Sequence, residues 1–293
     1  YRIFEDFAFY MISEARKKRI NDIFKLNGNV YAFDSTTIDL CLKLFPWANF
    51  RTHKGGIKIH TLYDVETQVP TFIHITEAKI NDVKAMDVIP YESGSFYVFD
   101  RANDYHRLYK IHMMDSFFVV RAKTNIKAKV LKWKRRLPKN IQSDCEIELT
   151  GFYTQKSYPE TIRLVRFWDE EDEREFIYLT NAKHIQALQV AELYKNRWQV
   201  ELFFKWLKQH LKIKKFWGTS ENAVKIQVYS AIIAYCLVAI MQQDRSTYEV
   251  LQILGISLTD KTPLRDLFSK TKFNDVKEQS GLDGPNLFSN YNF

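Results

Sequence analysis

The chain is poor in the residues that several common chemistries need. Its three cysteines, Cys41, Cys145 and Cys236, are odd in number, widely spaced and form no CxxC. That argues against a disulfide framework or structural zinc site and makes a reducing cytosol the expected home. Its seven histidines, His53, His60, His74, His106, His112, His184 and His210, show no HxxxH spacing, so zinc hydrolase chemistry has no basis. GxxxxGK[ST] is absent, which leaves ATP hydrolysis unsupported. The most apolar stretch, AIIAYCLVAI at 231–240, is too short to cross a bilayer and reads as a buried helix; no membrane partner is expected. YRIFEDFAFY carries no basic leader before an apolar block. No internal repeat or low-complexity tract appears.

What is present is a chain able to build a core. Hydrophobic residues make up 46% of 293 and aromatic residues 15%, which rules out wholesale disorder. The formal charge is +8 and the pI about 9.1. Such a surface calls for an anionic partner, nucleic acid first and a membrane surface second.

The patterning predicts an α/β protein. Residues 1–26 read as an amphipathic helix stopped at Asn27-Gly28. Because the chain opens inside that rhythm, residues 1–29 are expected to be the remnant of a longer N-terminal helical region. VYAFDSTTIDL (30–40) reads as a strand, 56–78 as a hairpin around DVET, and 81–89 as a short helix capped by Asn81. SFYVFD (95–100) has the continuous apolar character of a strand buried on both faces. A helix at 104–114 and a strand at 116–122 follow. From 124 to 178 short alternating patterns predict antiparallel strands, with DEEDE (169–173) as a solvated tip. These are expected to form a β-rich insertion packed beside the main sheet. Residues 179–245 return to helix and close the unit begun at 30–123, and 246–293 form a C-terminal tail.

Carboxylates fall at telling places. Asp34 and Asp100 each follow four apolar residues, at what the pattern makes the carboxyl ends of buried strands. Singly, each is compatible with a plain turn. As a pair on neighbouring strands they would open into one crevice. LYKNRWQVELFFKWLKQHLKI (193–213) reads as one helix with Leu193, Val200, Phe203, Phe204, Leu207 and Leu211 on an apolar face. Beside that face runs a stripe of Tyr194, Arg197, Glu201, Lys208 and Lys212, with Lys205 nearby. Surface pairing between Arg197, Glu201 and Lys205, worth a few tenths of a kcal/mol, is one reading. The other makes Glu201 a third oxygen donor. Three carboxylates without thiol or imidazole suit a hard cation such as Mg²⁺ or Mn²⁺. Two such ions about 4 Å apart activate a hydroxyl and stabilise a leaving oxygen in phosphodiester displacement. On that reading the cations of the stripe face phosphates.

Asp34, Asp100 and Glu201, with Tyr194-x2-Arg197-x3-Glu201-x6-Lys208, resemble the DDE transposases of the insertion sequence four family. The DST after the first strand and, after the fourth, the DRA that begins with Asp100 also look like the family's patterns. The resemblance implies an RNase H-like mixed sheet flanked by helices, with a β-rich insertion between the second Asp and the Glu. It implies two-metal cutting and strand transfer at transposon ends on double-stranded DNA, by a homodimer in the bacterial cytoplasm near the nucleoid. It also implies that Tyr194, Arg197 and Lys208 contact DNA beside the cleaved phosphate. The alternative is a decayed or host-retained relative that binds DNA without transposing.

KAKVLKWKRR (127–136) gathers six basic residues around Trp133, and Lys132, Lys134, Arg135 and Arg136 are expected to bind phosphate backbone. RTHKGGIKIH (51–60) is either a phosphate-contacting loop or a plain hairpin approach. Asp39, Asp64 and Asp82 compete for a metal role. Asp64, however, falls in a turn and Asp82 in a helix's first turn, where a carboxylate favours the dipole.

Overall fold

The computed structural model describes residues 1–19, 23–51, 54–101, 104–123, 126–210 and 216–241. In chain order the elements are α1 (Arg2–Lys18), β1 (Val30–Leu40), β2 (Asn49–Arg51), β3 (Lys54–Asp64), β4 (Val69–Glu77), α2 (Asp82–Ala85), β5 (Phe96–Arg101), α3 (Tyr105–Met113), β6 (Phe117–Arg121), β7 (Ala128–Trp133), β8 (Ile141–Leu149), α4 (Phe152–Ser157), β9 (Ile162–Asp169), β10 (Arg174–Thr180), α5 (Ala187–Lys195), α6 (Trp198–His210) and α7 (Glu221–Met241).

One mixed sheet runs β4-β3-β1-β5-β6-β10-β9-β8-β7, with short β2 on the end of β3. β3 is antiparallel to β1 and to β4, whereas β5 joins β1 in parallel and β6 joins β5 in parallel. Three antiparallel strands followed by two parallel ones make the RNase H-like core. Period-two alternation fills two layers. Val30, Ala32, Phe96 and Val98 pack on the side of α1, α5, α6 and α7, and Tyr31, Phe33, Tyr97 and Phe99 on the side of α3.

The start of the parallel pair is set by a close approach of two glycines. Gly28 has φ 149°, and a Cβ there would collide with the carbonyl oxygen of Gly94. The Phe96 amide donates to the Asn29 carbonyl at 2.8 Å, so Val30 pairs with Phe96 and Ala32 with Val98. Asp34 and Asp100 therefore stand at equal height, each two residues beyond the last pair.

Several expectations are corrected. Helix α1 ends at Lys18 rather than near 26, where Arg19 leaves the helix to donate through Nε to the Thr67 carbonyl at 2.8 Å. Asp34 is not at a strand end: β1 runs on to Leu40 along β3, and Asp34 marks only where β1 parts from β5. Strands β7 to β10 are antiparallel as expected but do not stand beside the main sheet. β10 bonds to β6, so they extend the same sheet. The reason is β6's edge, left open once β5 covers its other side. The apolar run at 231–240 belongs to a 21-residue helix that is long and apolar enough to span a bilayer. It is a core helix: Val228, Ile232, Cys236 and Ala239 are fully or almost fully buried, and it packs along α1.

Candidate active site

The segment expected to be one helix over 193–213 is two. At Asn196 and Arg197 the α-type bonds give way to i→i+3 bonds, Arg197 N–H to the Tyr194 carbonyl at 3.1 Å and Val200 N–H to the Arg197 carbonyl at 3.2 Å. Tyr194 thus closes α5, Arg197 sits in the tightened turn, and Glu201 lies in the first turn of α6. Val200, Phe203, Phe204 and Leu207 are buried beneath α6. Each contributes about 1.5–3 kcal/mol, against a few tenths for an exposed ion pair. Packing therefore fixes the helix, and the Arg197–Glu201 pair is not needed to hold it.

Arg197 is the centre of the arrangement. Its side chain is 14% exposed; Nη1 donates to Asp34 Oδ2 at 3.0 Å and Nη2 to Glu201 Oε1 at 2.6 Å. Nε is buried without a hydrogen-bond partner. Asp34 is largely buried, and loss of solvent pushes its carboxyl above the ordinary Asp value. The Ser35 amide, at 2.7 Å, and Arg197 counter that, while Glu201 and Asp82 add to it.

Asp100 lies at a β-bulge, where the β5–β6 register shifts between Phe99 and Arg101. The Tyr194 hydroxyl donates to the Asp100 carbonyl and to Oδ1, both at 3.1 Å. Burial against Tyr178 and Phe176 pushes the Tyr194 phenol to about 12, so it remains a donor at neutral pH.

Asp34 and Asp100 line one cavity of about 160 Å³ with Asn81, Asp82 and Asp104. Asp100 and Glu201 line a larger neighbouring one of about 850 Å³ with Arg121, Arg174, Tyr194, Arg197 and Trp198. Arg121 and Arg174 lie against the Phe176 ring, at 5.0 and 4.4 Å from its centroid. The sequence reading missed both arginines, because their neighbourhood exists only once β6 pairs with β10.

The structure brings Asp34, Asp100, Tyr194, Arg197 and Glu201 together. Lys205 and Lys208 follow on α6, partly buried. Lys212 lies outside the described residues, as do Thr52 and His53 of the 51–60 segment. Lys132, Lys134, Arg135 and Arg136 are not part of this cluster. β7 is five strands from β5, about 24 Å across the sheet. There Lys134 also braces buried Asp144 at 3.2 Å.

Asp34 and Asp100 offer oxygen only and share a cavity, which fits a hard divalent cation. The third carboxylate is held by Arg197, and among the described residues no three acidic, His or Cys side chains converge closely enough to hold a metal ion.

Transposase DDE domain is the family whose model matches residues 26–237. The chain is 33% identical over 253 residues to a putative transposase (y4zB) of Sinorhizobium fredii, spanning 80% of this chain and 67% of that protein. It is 32% identical over 215 residues to a probable transposase for insertion sequence element IS5377 of Geobacillus stearothermophilus, spanning 70% and 54%. Among solved structures it is similar to the piggyBac transposase synaptic complex with hairpin DNA, at TM-score 0.39 and 13% identity over 88% of this chain and 57% of that one. The chain belongs to the DDE transposase family. It spans between about half and two thirds of the curated relatives' length.

Proposed function

We propose that the chain carries the catalytic core of an insertion-sequence transposase with the Y-R-E-K signature, and that it cuts double-stranded DNA at transposon ends and joins it to a target. The observation that carries this reading is the pairing of Asp34 and Asp100, level on adjacent parallel strands over one cavity, with Glu201 tied to Asp34 through Arg197. Asp34, Asp100 and Glu201 would hold Mg²⁺ or Mn²⁺, two ions in all. When bound, these supply an activated hydroxyl nucleophile and a stabilised leaving oxygen.

The chain's own groups do the rest. The Arg197 guanidinium, forked and permanently charged, keeps two carboxylates in place and presents charge to a phosphate. Lys205 and Lys208 continue that charge along α6, and Lys212, outside the described residues, is taken to add to it. The Tyr194 hydroxyl fixes Asp100 through both its carbonyl and its carboxylate. Lys132, Lys134, Arg135 and Arg136 hold phosphate backbone about 24 Å away, or about seven base pairs of duplex.

In this reading 30–123 and 179–245 are the two halves of the core, and 124–178 is an insertion that widens its sheet. Residues 1–29 belong to an N-terminal region, and the stretch 246–293 lies outside the described residues. A homodimer acts on paired ends in the bacterial cytoplasm, near the nucleoid. The test is nicking of a transposon-end duplex with Mg²⁺, Mn²⁺ or chelator. Metal-dependent nicking supports the proposal; DNA binding without nicking in either metal identifies a decayed relative instead.

A further inference from the structure

The cavity shared by Asp34 and Asp100 has a third acidic wall, Asp82. First-turn position alone makes this residue a helix-capping acid, yet the contacts around it come from two strands of the sheet. His60 on β3 stands directly opposite Ser35 on β1, next to Asp34. The His60 ring is fully buried, stacked on Phe33, with Nε2 at 3.0 Å from Thr76 Oγ1. Its Nδ1 lies 3.1 Å from Asp82 Oδ1 but out of line, so neither atom completes a hydrogen bond. Lys58 Nζ lies 3.6 Å from the same oxygen. His60 is fully buried and Lys58 largely so, and the Asp82 Oδ1 that faces them is buried too, while the side chain as a whole stays 46% exposed. The rest of the carboxylate opens onto the cavity of Asp34 and Asp100. Burial pushes the Asp82 carboxyl up, and His60, the Ser35 hydroxyl and Lys58 outweigh that and hold it below the usual range.

We propose that Asp82, backed by His60 and Lys58, is a fourth acidic residue of the centre, a positioning residue that holds a hydrated divalent cation over Asp34 and Asp100 through water. The inference rests on the transposase reading of the site. Contact through water is the form that suits Asp82, since among the described residues no three acidic groups converge closely enough to hold an ion directly. Asp82 then supplies the negative field that Glu201 lacks while Arg197 engages it. Outer-sphere carboxylates of this kind change metal affinity by about 10–100-fold.

The test is Mn²⁺ binding to the full chain without DNA, followed by the loss of the free-ion electron paramagnetic resonance signal. Asp82→Asn, Asp82→Glu and Asp34→Asn are compared with the parent, and DNA binding in chelator and the unfolding midpoint serve as fold controls. Asp82→Asn keeps shape and loses charge, so Mn²⁺ affinity should fall about tenfold or more, with the unfolding midpoint unchanged and DNA binding in chelator no weaker than the parent's. Asp82→Glu keeps charge and should remain within about threefold of the parent. If Asp34→Asn loses Mn²⁺ while Asp82→Asn binds it like the parent, this inference fails and the transposase reading stands. The inference fails equally if Asp82→Glu is as impaired as Asp82→Asn, or if Asp82→Asn lowers the unfolding midpoint or weakens DNA binding in chelator, because the residue is then structural. If Asp34→Asn binds Mn²⁺ like the parent, the metal assignment of the whole site fails with it.

Discussion

A single arginine decides what the acidic residues of this site can do. Arg197 gives one nitrogen to Asp34 and another to Glu201, and its third, Nε, is buried without a partner. Such a fork cannot be copied by an ammonium, which is a point charge on a flexible stem. Arg197→Ala should slow nicking by about 10²-fold and weaken binding to DNA spanning the cleavage site, and Arg197→Lys should recover little of either. Single-turnover nicking, with binding measured in chelator, checks both; a fully active lysine variant would contradict the fork. Arg197 and Glu201 were legible in the sequence because they fall with Tyr194 within eight positions of one segment, and Asp34 because it follows the apolar run VYAF. Asp82 was not, since its partners lie on β1 and β3 and its own neighbours in sequence describe only a capped turn. Arg121 and Arg174 were hidden for the same reason: a strand residue's function depends on which strand lies beside it.

At the scale of elements, a buried ion pair reinforces the attachment of the strands beyond β6, which the β6–β10 ladder begins. Arg163 on β9 donates through Nε and Nη2 to Asp144 on β8, both bonds at 2.8 Å, with each side chain 3% exposed. Its Nη1 donates to the carbonyls of Ala182 and Ile185, just before α5. The pair thereby ties the added strands to α5, which carries Tyr194 in its last turn. Arg163→Ala leaves the buried Asp144 carboxylate with only the half-exposed Lys134 as partner and should cost up to about 3–5 kcal/mol in chemical denaturation. Burial alone would raise the Asp144 carboxyl, but Arg163 and Lys134 hold it below the ordinary range. Its stabilising share is complete above the unfolded Asp value of about 3.9 and is lost as pH falls through the lower folded value. Asp144→Asn should therefore lack that part of the acid unfolding limb, which a pH series of unfolding midpoints measures. The alternating pattern of 141–180 made the antiparallel strands readable. Their attachment was not readable, because alternation says which face is buried and nothing about which edge a strand joins. The helix break at Asn196–Arg197 was equally hidden, since apolar periodicity survives a single tightened turn.

As a whole molecule, the sheet is a ruler with carboxylates at β1 and β5 and a basic edge at β7. Val130, Leu131 and Trp133 are exposed on that edge among the lysines, which also keeps it from pairing with another strand. Reversing Lys132, Arg135 and Arg136, and changing Lys134 to Gln so that Asp144 keeps a neutral neighbour, should weaken DNA binding on any sequence. The slope of log affinity against log salt should flatten by about 3–4, and unchanged affinity and slope would remove this edge from the DNA path. The central claim concerns the other end of the ruler, and one measurement tests it most directly: nicking of a transposon-end duplex by Asp34→Asn, Asp100→Asn and Glu201→Gln, beside their DNA binding in chelator. Each substitution keeps shape and removes an anion. The account predicts that nicking is lost in all three while DNA still binds as well as to the parent, or better, since phosphate repulsion is relieved. Cutting by Glu201→Gln at the parent's rate would contradict it and return the Arg197–Glu201 pair to a surface contact on a packing helix.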